Sequence, residues 1–163
     1  KEYEVFVFGY HRIGYKVIQS LKKMNAKVVV IDYNPKVIIA LNKENIEAIY
    51  GDASDRNFLS EIGLEKAKLV ISTIPQEDAN IAIKETLKEI NSKAAFIATA
   101  EQPRTALNLY KNGIDYVIVP HHLGGDYASH LIEKFGTSKK IYEKIGKEHF
   151  ANLRKGKDLS AFE

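Results

Sequence analysis

The chain has no cysteine among its 163 residues, which excludes disulfides, thiolate nucleophiles and cysteine-ligated metals. An extracellular disulfide scaffold is thereby ruled out. No stretch approaches the ~20 consecutive apolar residues of a membrane-spanning helix. A signal peptide is not expected either, because the first apolar run is short, strand-like and has an acid beside it. Internal repeats and low-complexity segments are lacking. An initiator methionine is lacking too: Lys1 comes first and Tyr3 opens a strand almost at once, as in a domain cut from a longer protein or processed from one. The length is enough for one domain with a proper core and a short appendage.

The charge that is present is unevenly placed. The net formal charge is +3, yet from Lys134 onward eight Lys or Arg stand against four acids, leaving the rest of the chain nearly neutral. A basic tail can touch nucleic acid or anionic lipid, and a solvated surface helix explains it equally well. Aromatic residues are not interleaved with the bases, so no base-stacking platform for nucleic acid is expected.

Short β-branched runs alternate with amphipathic stretches, the pattern of a parallel sheet covered by helices. The strands are expected at Tyr3–Phe8, Lys27–Ile31, Glu47–Tyr50, Leu69–Ser72, Ala94–Ala98 and Tyr116–Val119. Helices are expected at Arg12–Met24, Pro35–Lys43, Asp55–Ile62, Gln76–Ile90, Pro103–Lys111 and Gly125–Phe135, with Asn34 and Asp55 as N-caps and Gly63, Gly113 and Gly136 as stops. This is an α/β chain: a Rossmann-like, doubly wound, parallel six-stranded sheet with helices on both faces and a C-terminal helical tail. Residues 1–135 form the sheet-and-helix domain and 136–163 the helix and basic tail, whose end, from Gly156 on, has too little apolar content to order itself.

The chemistry concentrates at the start. A strand is followed by Gly9-Tyr10-His11-Arg12-Ile13-Gly14, then a helix, a second strand and Asp32 at its tip. In a nucleotide-binding βαβ unit the turn and helix N-terminus hold phosphate, and an acid about 20 residues on takes the ribose hydroxyls. Arg12 adds a cation beside the turn, and Asp32 would repel a 2′-phosphate, favouring NAD or adenosine ligands over NADP. The other reading of Asp32 is a strand-end acid capping the next helix. Asp52 can meet an adenine edge or cap the helix that follows. Ser72-Thr73-Ile74-Pro75 faces the crevice floor. His122, Asp126 and His130 would share a helix face at metal-ligand spacing if the helix starts early enough, but Gly124-Gly125 argues for a loop there, and no metal site is assigned.

The series Val7-Phe8-Gly9 through Gly14, Val30-Ile31-Asp32 with Asn34-Pro35, Gly51-Asp52-Ala53, Ala67 to Ile71, and Asn112 to Pro120 resembles the RCK domain, also called the KTN or TrkA-N domain, over residues 3–135. The resemblance implies a cytosolic regulator, on the inner face of the membrane, of a potassium channel, a Trk/Ktr uptake system or a Kef-like cation/proton antiporter. It implies an adenine nucleotide (AMP, ADP or ATP) or NAD(H) as ligand, a homodimer or larger ring of the same domain, and a membrane transporter or channel subunit as partner. Nucleic acid is not among the partners. Carried over by position, it implies phosphate contacts from Gly9, Tyr10, His11, Arg12, Ile13 and Gly14. It implies ribose contact from Asp32 with Tyr33 beside it, adenosine contacts from Asp52 and Ala53, and crevice backbone at Thr73 and Ile74. His11 departs from the family by replacing the middle glycine. It either crowds a pyrophosphate or, protonated, donates to a single phosphate, which favours a mononucleotide such as AMP or an altered dinucleotide pose.

Two other classes stay open at this point. A small NAD-dependent oxidoreductase would need an acid/base pair and a substrate domain. No Tyr is followed four residues later by Lys, and no length remains for a second domain, so no enzyme activity is expected. A dimerisation module that has lost its nucleotide is the other alternative, with His11 as the cause.

Overall fold

The computed structural model describes residues 1–10 and 13–160, with side chains up to residue 155. Within that span the near-continuous apolar runs become six strands: β1 (Val5–Phe8), β2 (Val28–Asp32), β3 (Ala48–Tyr50), β4 (Leu69–Ser72), β5 (Ala95–Thr99) and β6 (Tyr116–Ile118). All pair in parallel, in the order β3-β2-β1-β4-β5-β6. Central β1 is buried along its whole length, as expected of a strand covered on both faces. The register sets Phe8 beside Ile31 on one side and Ser72 on the other. The chain reverses its direction of winding at β1, so a crevice opens between the carboxyl ends of β1 and β4.

Two of the helices, the second and the third, start where a side chain settles unpaired backbone amides. Helix α1 spans Gly14–Lys23, α2 Pro35–Lys43, α3 Arg56–Glu61, α4 Glu77–Ile90 and α5 Pro103–Lys111. Asn34 caps α2 by accepting from the Lys36 amide at 3.0 Å, and Asp55 caps α3 by accepting from Asn57 and Phe58. Gly63, Gly113 and Gly136 follow helices at positive φ, as their positions implied; Asn25 and Asn45 do the same after α1 and α2, a role the sequence reading did not assign. A short 3-10 turn, Leu64–Lys66, follows Gly63. Arg56 clamps α3 onto α4 through Glu85 and Glu89 at 3.0 and 2.8 Å. Phe6, Phe8, Phe96, Leu59, Ile83, Leu87 and Leu109 are almost wholly buried in a single core cluster. Each contributes about 1.5–3 kcal/mol by leaving water.

The chain divides into two compact units, Lys1–Val119 and Pro120–Glu163. The second consists of α6 (Pro120–Phe135) and α7 (Lys139–Ser160). Two expectations are corrected here. Gly124-Gly125 does not break the chain, because α6 begins at Pro120, where a first-turn proline is tolerated, and its later turns carry the helix through. The backbone beyond Gly156 is likewise helical as far as Ser160, extending the long helix before it. The Tyr142 hydroxyl donates to the Gly136 carbonyl at 2.7 Å and fixes the turn between the two helices. Among the described residues, no helix is long and apolar enough to cross a membrane.

A Cβ added at Gly124 or Gly125 meets nothing within 4 Å. Gly124→Ala and Gly125→Ala should therefore each stabilise α6 by about 0.5–1 kcal/mol. Helix content followed by circular dichroism during heating checks this; an unchanged or lowered melting profile would contradict it.

Candidate nucleotide crevice

Four loops meet at the carboxyl ends of β1 to β4, and main-chain hydrogen bonds lace them together. The Gly9 amide donates to Ile31 O at 2.8 Å, Thr73 N to Phe8 O at 2.9 Å, and Gly51 N to Asp32 O at 3.1 Å. These bonds carry the sheet pairing one residue past the strands. They bring Gly9, Asp32, Gly51 and Thr73 onto one rim.

Asp32 is the joint of this rim. It is buried, 5% exposed, and its Oδ2 accepts from the Tyr10 amide at 3.0 Å while Oδ1 accepts from the Asn34 amide at 2.8 Å. A buried carboxylate would be costly without such partners. The capping reading of Asp32 is thus replaced: Asn34 caps α2, and Asp32 holds Asn34 and the glycine turn in place. Each carboxylate oxygen keeps a second lone-pair direction.

The glycine turn is closed from the opposite side by Thr73. Its hydroxyl donates to Gly9 O at 2.9 Å, with Phe8 O at 3.2 Å. Gly9 adopts φ +82°, and a Cβ there would lie 2.6 Å from Thr73 Oγ1 and 3.1 Å from Ile74 Cγ1. Glycine is required twice over, by conformation and by space. Gly14 opens α1, and a Cβ there would sit 3.1 Å from Gly9 O. The first-turn amides of α1 start at this point, at the positive end of the helix.

The expected site residues divide by what the fold leaves free. Gly9, Asp32 and Thr73 lie on the rim beside Gly51, and Ile13 holds the N-cap position of α1 without a side-chain bond. Tyr10 is buried, and its amide is committed to Asp32 and not to the crevice. Asp52 is exposed and accepts from Ser54 N at 2.8 Å and Ser54 Oγ at 2.7 Å, bonds that lower its pKa from the ordinary aspartate value. Ala53 turns its methyl into the core, so only its backbone can meet a ligand. Tyr33 is 67% exposed beside Asp32, and Ile74 is partly buried. His11 and Arg12 lie outside the described residues.

Three structural roles were not read from the sequence. The Phe58 ring lies where a Cβ on Gly51 would be, within 2.1 Å, and so props the β3 loop. Thr99 Oγ1 donates to Ser72 O at 2.9 Å. Asn80, wholly buried in α4, donates to Ile74 O at 2.9 Å and Thr99 O at 3.3 Å. No spacing signal separates such an asparagine from an exposed one, because its partners are main-chain atoms remote in sequence. On α6, His122 Nε2 lies 3.8 Å from Asp126 Oδ2 on the exposed surface, and among the described residues no His, Cys, Asp and Glu groups gather as a metal site. A cavity of about 450 Å³ opens at the other edge of the sheet, where the strands begin, between Tyr3, Ile18, Lys27 and Glu47. It is remote from the glycine turn.

A family model described as the TrkA-N domain matches residues 5–120. Potassium channel protein 1 of Methanocaldococcus jannaschii is 35% identical over 121 residues, 73% of this chain and 36% of its own length. The glutathione-regulated potassium-efflux system protein KefC of Escherichia coli is 29% identical over 111 residues, 68% of this chain and 18% of its own. This chain therefore spans only a minor part of either relative. The solved Kef CTD of Shewanella denitrificans in its AMP-bound form is 20% identical, with a TM-score of 0.68, covering 97% of this chain and 96% of that one; the likeness is one of fold.

Gly9→Ala should destabilise the domain by about 2–4 kcal/mol, from left-handed strain plus the Thr73 contact. Urea unfolding measures it, and a change within error would refute the packing account. Tyr10 supplies a pH test. Burial, reinforced by the Glu44 carboxylate, pushes its phenol up to about 12. The neutral phenol of the folded state thus adds stability in full below the ordinary tyrosine value of about 10, and that stability is lost as pH rises from there through 12. The urea midpoint of the wild-type protein should fall more steeply between pH 9 and 11.5 than that of Tyr10→Phe; parallel curves would contradict this.

Proposed function

Because the chain belongs to the TrkA-N domain family, we propose that it is the adenine-nucleotide-sensing regulatory domain of a potassium channel or a Kef-type cation/proton antiporter. The observation that carries this is the Asp32 joint: one buried carboxylate at the tip of β2 holds the glycine turn and the start of α2, accepting one amide on each oxygen. Phosphate would sit at the α1 N-terminus against the Ile13 and Gly14 amides, with Arg12 and His11 as further donors. The ribose diol would take the remaining lone pairs of Asp32, and the base would lie between exposed Tyr33 and the Asp52–Ala53 backbone. AMP satisfies all three contacts, and the adenosine half of ADP, ATP or NAD(H) satisfies the same set.

The domain would act by differential binding and not by turnover. Occupancy favours one arrangement of paired domains, and linkage passes that free energy to the attached transport unit. The polar groups at the β4 and β5 ends support a role without chemistry. The Thr73 and Thr99 hydroxyls donate to main-chain carbonyls, and Ser72 Oγ accepts from the Ile74 amide at 3.3 Å. None is left as an acid or base. In this reading the domain stands in the cytoplasm at the inner face of the membrane, as a homodimer or larger ring. The exposed Leu123, Tyr127 and Ile132 of α6 would supply the pairing surface.

Calorimetric titration with AMP, ADP, ATP, NAD and NADH tests the proposal. Selective binding should weaken about 10–100-fold in Asp32→Ala, the loss of charge-assisted hydrogen bonds to the diol. Asp32→Asn keeps the shape and one acceptor, so it should fall between. Silence across the panel, or equal affinity in Asp32→Ala, would overturn the assignment.

A further inference from the structure

Helix α7 concentrates the basicity of the chain on one side. At 3.6 residues per turn, Lys140, Lys144, Lys147, Arg154 and Lys155 fall within an arc of about 100°. Ile141, Tyr142, Ile145 and Leu153 fall on the opposite side. All five bases are exposed. Lys139 lies at the flank and pairs with Glu143 at 3.8 Å. Among the described residues, Lys140, Lys144, Lys147 and Lys155 have no ion pair, and the Arg154 guanidinium lies over the Phe150 ring, 5.8 Å from its centre. The stripe from Lys140 to Lys155 is thus a straight row of cations, roughly 22 Å long, with Glu148 at its edge one turn beyond Lys144.

We propose that this stripe docks on an anionic lipid surface. A straight, one-sided row of flexible lysines suits a flat field of phosphate headgroups, to which each contributes on its own. Single-stranded nucleic acid requires a series of stacking rings, and among the described residues only Phe150 stands beside the row, exposed but with the Arg154 guanidinium over it. The inference rests on the membrane placement proposed above and adds to it: α7 would hold the sensing domain against the bilayer, independently of the transport unit.

The complete 163-residue chain, sedimented with phosphatidylcholine vesicles that contain or lack phosphatidylglycerol, tests this. Binding should require the anionic lipid, fall steeply with added salt, and drop roughly 100-fold in Lys140→Gln/Lys144→Gln/Lys147→Gln, about fivefold per charge. The same loss of charge placed on α1 and α2, Lys22→Gln/Lys23→Gln/Lys43→Gln, should leave binding within a fewfold of wild type. Unchanged circular dichroism separates lost docking from a lost helix. Equal binding to neutral vesicles, no binding, equal loss in both triple variants, or displacement from anionic vesicles by equimolar duplex DNA would each overturn the proposal. Nucleotide calorimetry on the same variants reports the sensing function separately, so failure of one reading is not mistaken for failure of the other.

Discussion

One buried carboxylate organises the crevice. Asp32 ends β2, and in a parallel sheet that position lies beside the ends of β1 and β3. Its side chain then reaches the Tyr10 amide across to the glycine turn and the Asn34 amide toward α2, while its carbonyl receives Gly51. Three loops that are independent in sequence share this single residue. Gly9 and Gly51 are each tied by their own amide to the end of β2, so both turns are held by the same strand.

The two halves of the rim are held by different chemistry. Toward β2 and β3 the ties run to a carboxylate, which retains accepting capacity suited to hydroxyl donors. Toward β4 and β5 the ties come from neutral groups, Thr73, Thr99 and Asn80, that spend their donors on main-chain carbonyls. The rim is thus tied by a charged group on one side and by neutral groups on the other.

The second unit has a different character. Its helices expose large apolar side chains, including Ile132, Phe150 and Leu153, together with the basic row of α7. Such a surface is costly on a solitary body and is normally found where something covers it.

Much of this was legible in the chain itself, because it depends on local rules. Apolar runs, glycine stops, Asn34 and Asp55 caps and the first-turn prolines all act within a few residues, so the six strands and the order of elements follow from composition along the chain. The glycine turn and Asp32 were legible as a pair for the same reason: their spacing is that of one βαβ unit. Where local signals were followed too literally they failed, as at Gly124-Gly125, since glycine disfavours a helix by only about 1 kcal/mol per residue and the neighbouring turns outweigh it.

What only the tertiary structure decided are the roles that depend on partners distant in sequence. That Tyr10 turns inward and gives its amide to Asp32, that Phe58 occupies the space left by Gly51, and that Asn80 ties two loops from inside a helix cannot be inferred from periodicity, which records burial but not the identity of the neighbour. The amino-acid sequence by itself determined the sheet, the turn and the acid, since those need only nearest neighbours. The closing of the crevice needed strands four residues long, set side by side from positions more than sixty residues apart, before a threonine could reach a glycine.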